Sequence, residues 1–78
     1  MANPTKEQWL NEDFECADDI MYYGREVETD IYMYLTMHED ASTKEELIEQ
    51  HGLEVFETGV QVVNARVEQE PNFYHYVN

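Results

Sequence analysis

The stretch STKEELIEQHGLEVFETGVQVVNARVEQEP, residues 42–71, decides the fold. Ser42 followed by Glu45 reads as a capping box, in which the hydroxyl accepts a backbone N–H three residues on and the carboxylate reaches back to the cap. Leu47 and Ile48 supply the buried side of the helix that follows. His51 and Gly52 then form a basic last turn and the glycine that helices favour just past their C-terminus, after which Leu53 can pack back onto the helix. From about Glu54, the residues Phe56, Val60, Val63 and Val67 recur at steps of four, three and four, one stripe of a further amphipathic helix. That helix stops before Pro71, because the residue ahead of a proline is pushed out of helical geometry.

Upstream, residues 26–37 fit two periods. Ile31, Met33, Leu35 and Met37 alternate with Tyr32, Tyr34, Thr36 and His38 as in a strand, while Val27, Ile31, Tyr34 and Leu35 fit a helix. A lone strand with no partner is unstable, so a helix is expected, followed by a loop at residues 38–41. Near the N-terminus, Pro4 stands just outside Thr5, and Thr5 with Gln8 forms another capping box. Leu10, Phe14, Ala17 and Met21 then mark an apolar stripe flanked by Trp9, Cys16 and Ile20, with Glu12, Glu15 and Asp19 opposite. This spacing predicts one helix over about residues 5–23, with Gly24 as the first breaker. The C-terminal NFYHYVN, residues 72–78, fits an edge strand or a docked tail. The expected fold is all-α, one domain of three to four helices over residues 1–78. It comprises an acidic amphipathic helix, a tri-helical segment over about residues 27–70, and the aromatic tail.

A chain of 78 residues buries only about 60% of the surface its unfolded form exposes, so no deep internal active site is expected. Its 18 acids against 4 bases give a net charge of −14, which repels nucleic acid and anionic lipid. High charge with low hydrophobicity is also the composition of disordered chains. Aromatic residues at 13%, set among periodic Leu, Ile and Val, argue for a folded domain. Cys16 is the single cysteine, which excludes an internal disulfide and a multi-cysteine metal site. Its neighbours Glu15, Asp18 and Asp19 disfavour a thiolate, so it reads as a packing residue. MANPTKEQWLNED has neither a basic start nor an apolar run, and no later run reaches the length of a membrane span. A cytoplasmic protein without a signal peptide is expected.

From Asp30 onward, an apolar helix, then ASTKEELIEQHGL, then a helix carrying Val60, Val63 and Val67, and an aromatic end follow one another. This order resembles the tri-helical core of helix-turn-helix and winged-helix domains over about residues 30–77. The resemblance implies a degenerate helix-turn-helix transcriptional regulator or adaptor, monomeric or dimeric. The recognition position departs from that family: it carries Glu54, Glu57, Glu68 and Glu70 against the single Arg66, where a groove-reading helix needs Lys or Arg to neutralise phosphates. In size, acidity and tyrosine-rich helical composition the chain also resembles small acidic proteins of phages and mobile elements that inhibit host nucleases, restriction enzymes or CRISPR complexes, some by mimicking DNA. That class implies a viral protein in the host cytoplasm whose partner is a basic, nucleic-acid-binding protein.

The candidate partner-binding residues follow. Glu12, Glu15, Asp18, Asp19, Glu26, Glu28 and Asp30 form the most acidic region, and carboxylates three or four apart on a helix repeat at roughly 5–6 Å. A groove built for phosphates accepts that charge density. Tyr22, Tyr23 and Tyr32 are candidate anchors, since tyrosine is enriched at interface hot spots. A plain solvated face and adaptation to a salty habitat are the bland alternatives, and a homodimer is another way to bury an aromatic seam. His38, His51 and His75 lack the spacing of metal ligands, and there is no zinc-protease, EF-hand or phosphate-loop motif. No catalytic residue, cofactor or metal is expected, and the protein reads as a non-enzymatic binding module that blocks a positively charged nucleic-acid-binding site of its partner.

Overall fold

The computed structural model describes residues 3–13 and 26–77. Among them are four helices, α1 (Lys6–Leu10), α2 (Glu28–Leu35), α3 (Lys44–His51) and α4 (Leu53–Gln69), and no strand. The fold is all-α, and the segment with two competing periods is helical. α4 packs against each of the other three helices, and α2 also packs against α3. The core gathers Trp9, Val27, Ile31, Leu47, Val55, Phe56, Val62, Val63 and Tyr74.

The α3 capping box lies one residue later than expected. Thr43, not Ser42, accepts the N–H of Glu46 on its hydroxyl at 3.2 Å, and Glu46 Oε1 accepts the Thr43 N–H at 3.0 Å. Ser42 and Thr43 each head a box of the right spacing, and the chain uses the second. The Thr43 N–H, and after it the Thr43 hydroxyl, hold the Glu46 carboxyl below its ordinary pKa. Gly52 joins α3 to α4 at φ 92° and ψ 152°, a region that is essentially glycine's alone.

On α4 the buried stripe is also displaced by one residue. Val55, Phe56, Gly59, Val62 and Val63 are buried, while Val60 and Val67 are only partly covered. The deep line runs Val55, Gly59, Val62, Arg66, with the same steps of four, three and four. Gly59 is the point of closest approach: a Cβ there would overlap Ile31 Cδ1 and stand 3.2 Å from Trp9 Cη2.

The expected long N-terminal helix ends early. α1 starts at its Thr5–Gln8 capping box, but stops at Leu10. The N–H of Asp13 returns to the Gln8 carbonyl at 2.8 Å and that of Glu12 to Trp9 at 3.1 Å. This pair of bonds is the Schellman closure, and it places Glu12 in the left-handed region at φ 54°. α2 ends the same way, with His38 N–H on the Met33 carbonyl, Met37 N–H on Tyr34, and Met37 at φ 57°. Phe14, Cys16, Ala17, Ile20, Met21 and Gly24, on which the longer helix rested, lie outside the described residues. Trp9, expected at the flank, is the fully buried member of α1. The C-terminal segment is a docked tail of successive turns, with Phe73 N–H on Glu70, His75 on Asn72 and Val77 on Tyr74.

Candidate functional site

Arg66 and Glu28 make the most concentrated chemistry in the described residues. Glu28 stands in the first turn of α2, where a helix favours negative charge, and its side chain is 1% exposed. Arg66 Nε donates to Oε1 at 2.6 Å, and Nη2 donates to Oε2 at 3.3 Å. Trp9 Nε1 donates to Oε2 at 2.8 Å and the Tyr74 hydroxyl to Oε1 at 2.6 Å. The guanidinium also reaches the Trp9 carbonyl at 3.4 Å and lies 4.8 Å from the Phe73 ring centre. One carboxylate thus ties together α1, α2, α4 and the tail. Such forked, charge-assisted bonds are the strong ones, and each oxygen is saturated with donors. The cluster is closed to solvent, so its chemistry is cohesion: it holds the elements in place and offers no group to a ligand.

Tyr74 carries the electrical consequence. Burial raises its hydroxyl pKa well above the ordinary tyrosine value, and the hydrogen bond to Glu28 and that residue's negative charge raise it further, against the opposing pull of Arg66. With the folded pKa above the unfolded one, Tyr74 is neutral in both states below about pH 10 and its contribution to stability is complete there. Above that pH the unfolded chain releases the proton while the folded chain keeps it, so stability falls. Urea midpoints measured from about pH 8 to about pH 11 are expected to decline in the native protein. Tyr74→Phe should flatten that decline while lowering stability by about 1.5–3 kcal/mol at neutral pH, the scale of a bond to a charged group. A variant that declines as steeply as the native chain would remove Tyr74 as the source.

Of the residues expected to meet a partner, Glu28 is the clear correction: it is buried and neutralised by Arg66. Glu12 and Glu26 are exposed. Asp30 is partly exposed, with Oδ2 3.7 Å from Nε2 of His51, an ion pair across α2 and α3 when the histidine is protonated. Tyr32 is half-buried and stacked on Tyr74 at 4.5 Å between ring centres, so it packs against the core instead of standing out as an anchor. Glu15, Asp18, Asp19, Tyr22 and Tyr23 lie outside the described residues. The remaining surface acids among the described residues are spread over the molecule: Glu7 on α1, Glu45, Glu46 and Glu49 on α3, Glu54, Glu57 and Glu68 on α4, and Asp13, Glu39, Asp40 and Glu70 outside the helices.

In the sequence Trp9 only flanks an apolar stripe, Arg66 is only the lone base of its helix, and Tyr74 is one of several tyrosines that could equally stand on the surface. A lone arginine in register with an apolar stripe was the available signal, since a buried arginine requires a buried acid. Among the described residues no group of three His, Cys, Asp or Glu side chains could hold a metal ion, and no helix is long and apolar enough to cross a membrane. Comparison with protein-family models, curated proteins and solved structures gives no match for this chain.

Proposed function

We propose that this protein is an acidic binding module that occupies a positively charged, nucleic-acid-binding site of a partner protein and blocks it, as phage-type inhibitors of restriction or CRISPR complexes do. The supporting observation is the division of charge between interior and surface. Arg66, the one base of α4, is turned inward onto Glu28, and Lys6 and Lys44 are the exposed Lys or Arg residues among those described. The acids lie almost entirely outside. A helix in the recognition position that presents Glu54, Glu57 and Glu68, with Glu70 just past its end, repels phosphates and suits a basic groove. The same observation weighs against a DNA-reading helix-turn-helix protein, because its only candidate phosphate ligand on α4 is already engaged.

The test uses the full chain and a basic DNA-binding protein that it binds. Raising salt from about 50 to about 500 mM should weaken the complex by about tenfold or more, through screening of the charges at the interface. Duplex DNA should compete for the same partner surface. Affinity that is flat with salt would defeat the electrostatic mechanism. A tight complex of the chain itself with random-sequence DNA, read by mobility shift, would replace this reading with the helix-turn-helix one.

A further inference from the structure

We propose that the groove between the end of α2 and the start of α3 receives an apolar side chain from a basic segment of the partner protein, with Met37 as its anchor. This rests on the acidic-module reading and adds to it the place and the chemistry of contact. The groove is an open, shallow depression of about 520 Å³, with Tyr34, Met37, His38 and Ala41 along it. Met37 is 89% exposed, more than Leu35, Leu53 or Tyr76, the other large exposed hydrophobic residues described. It also occupies the left-handed region, where glycine or asparagine serves better. The closure of α2 sets that backbone, but it does not require a large apolar side chain, and one held in the open adds no burial to the fold.

The surroundings make this exposed methionine a fitted surface. Tyr34 is fixed by an edge contact with Phe56, with ring centres 5.9 Å apart. The loop is closed by the Asp40 N–H on His38 Nδ1 at 3.1 Å and the Ala41 N–H on the His38 carbonyl at 3.0 Å. The groove is therefore present before anything binds, which limits the entropy lost on association. Methionine is flexible and polarisable and adapts to different apolar partners. Lys44 and Glu45 both line the groove, side by side at the start of α3, and their charges offset, so the net negative charge at its edge comes from Glu39 and Asp40, exposed in the adjoining loop. An apolar seat within this acidic margin is complementary to a leucine or similar side chain flanked by Lys or Arg.

The experiment titrates the full chain with two synthetic peptides of equal length and charge, one alternating lysine with leucine and one alternating lysine with serine. The lysine–leucine peptide is expected to bind about tenfold more tightly, the scale of burying one large apolar side chain. Met37→Gly should remove most of that preference and leave the lysine–serine affinity unchanged. Because glycine suits the left-handed position, this variant should also melt a few degrees higher, which separates lost binding from lost folding. Leu53→Ser, which removes an exposed leucine elsewhere, should leave the preference intact. Equal binding of the two peptides, a preference that survives Met37→Gly, or one that is lost equally in Leu53→Ser would overturn the groove while leaving the acidic-module reading standing. Failure of both peptides to bind at low salt would overturn both.

Discussion

Glu28→Ala is expected to lower the unfolding free energy by about 3–5 kcal/mol, the usual loss when one partner of a buried ion pair is removed. A domain of this kind has about 5–15 kcal/mol in total, so the variant should be close to unfolding at ordinary temperature. The physical reason is what remains: Arg66, whose side chain is 11% exposed, keeps its charge, and Trp9 Nε1 and the Tyr74 hydroxyl lose their acceptor. Glu28→Gln should also be damaging, since every neighbour of that carboxylate is a donor, and an amide nitrogen placed among donors has nothing to bond. The double variant Glu28→Leu with Arg66→Met removes both charges at similar volume. It should recover the part of the loss that comes from the stranded charge of Arg66, because well-packed apolar residues can replace a buried pair at little cost. What it cannot recover is the two orphaned donors, about 1–3 kcal/mol each. Urea denaturation of the three variants measures all of this, and a loss below about 1 kcal/mol in Glu28→Ala would show that the cluster does not hold the fold.

The same variant carries a warning for any binding assay. Glu28 falls in the most acidic stretch of the chain, so a loss of binding in Glu28→Ala invites an electrostatic explanation. The interior position of the residue makes loss of folding the cause to expect. Glu26 and Asp30, on either side of it and both reaching solvent, are the positions where removing a charge tests the surface.

The helices were legible where their signals are local, and misplaced where the deciding fact lies in another part of the chain. The Thr5–Gln8 box, the Gly52 turn and the stop before Pro71 all depend on residues within a few positions, and all appear as expected. The end of α1 does not, because its left-handed residue is Glu12, which does not advertise a helix stop as glycine does. The α4 stripe shows the limit most plainly. Phe56, Val60, Val63, Val67 and Val55, Gly59, Val62, Arg66 have identical spacing, and hydropathy favours the first. The second lies deeper because Gly59 admits Ile31 and Trp9 and Arg66 meets Glu28. Both facts arise only when distant segments come together, and the same pairing removed Glu28 from the acidic surface where its composition had placed it.

Trp9→Ala is expected to cost about 3–5 kcal/mol, the range for removing a large buried aromatic side chain, and to release α1 from the rest of the fold. Five residues make too short a helix to persist in water by themselves. What holds α1 is the one side chain within it that is fully buried. That indole packs over Gly59 and donates to Glu28 at 2.8 Å, while its own carbonyl accepts from Arg66. Trp9→Phe retains most of the apolar burial and loses the N–H, so its cost should be smaller, about 1.5–3 kcal/mol for a bond to a charged acceptor. Hydrogen exchange distinguishes a local release from a general weakening. In Trp9→Ala, the amides of Asn11, Glu12 and Asp13, which close α1, should exchange as in an unfolded chain, while those in the middle of α4 stay protected to the variant's global stability. Protection that persists at Asn11 and Asp13 would mean that α1 is held by contacts other than its tryptophan. Docking chiefly through Trp9, with Leu10 packed beside it, also explains why a four-residue capping box suffices to start this helix: the tertiary contact supplies the stability that its length cannot.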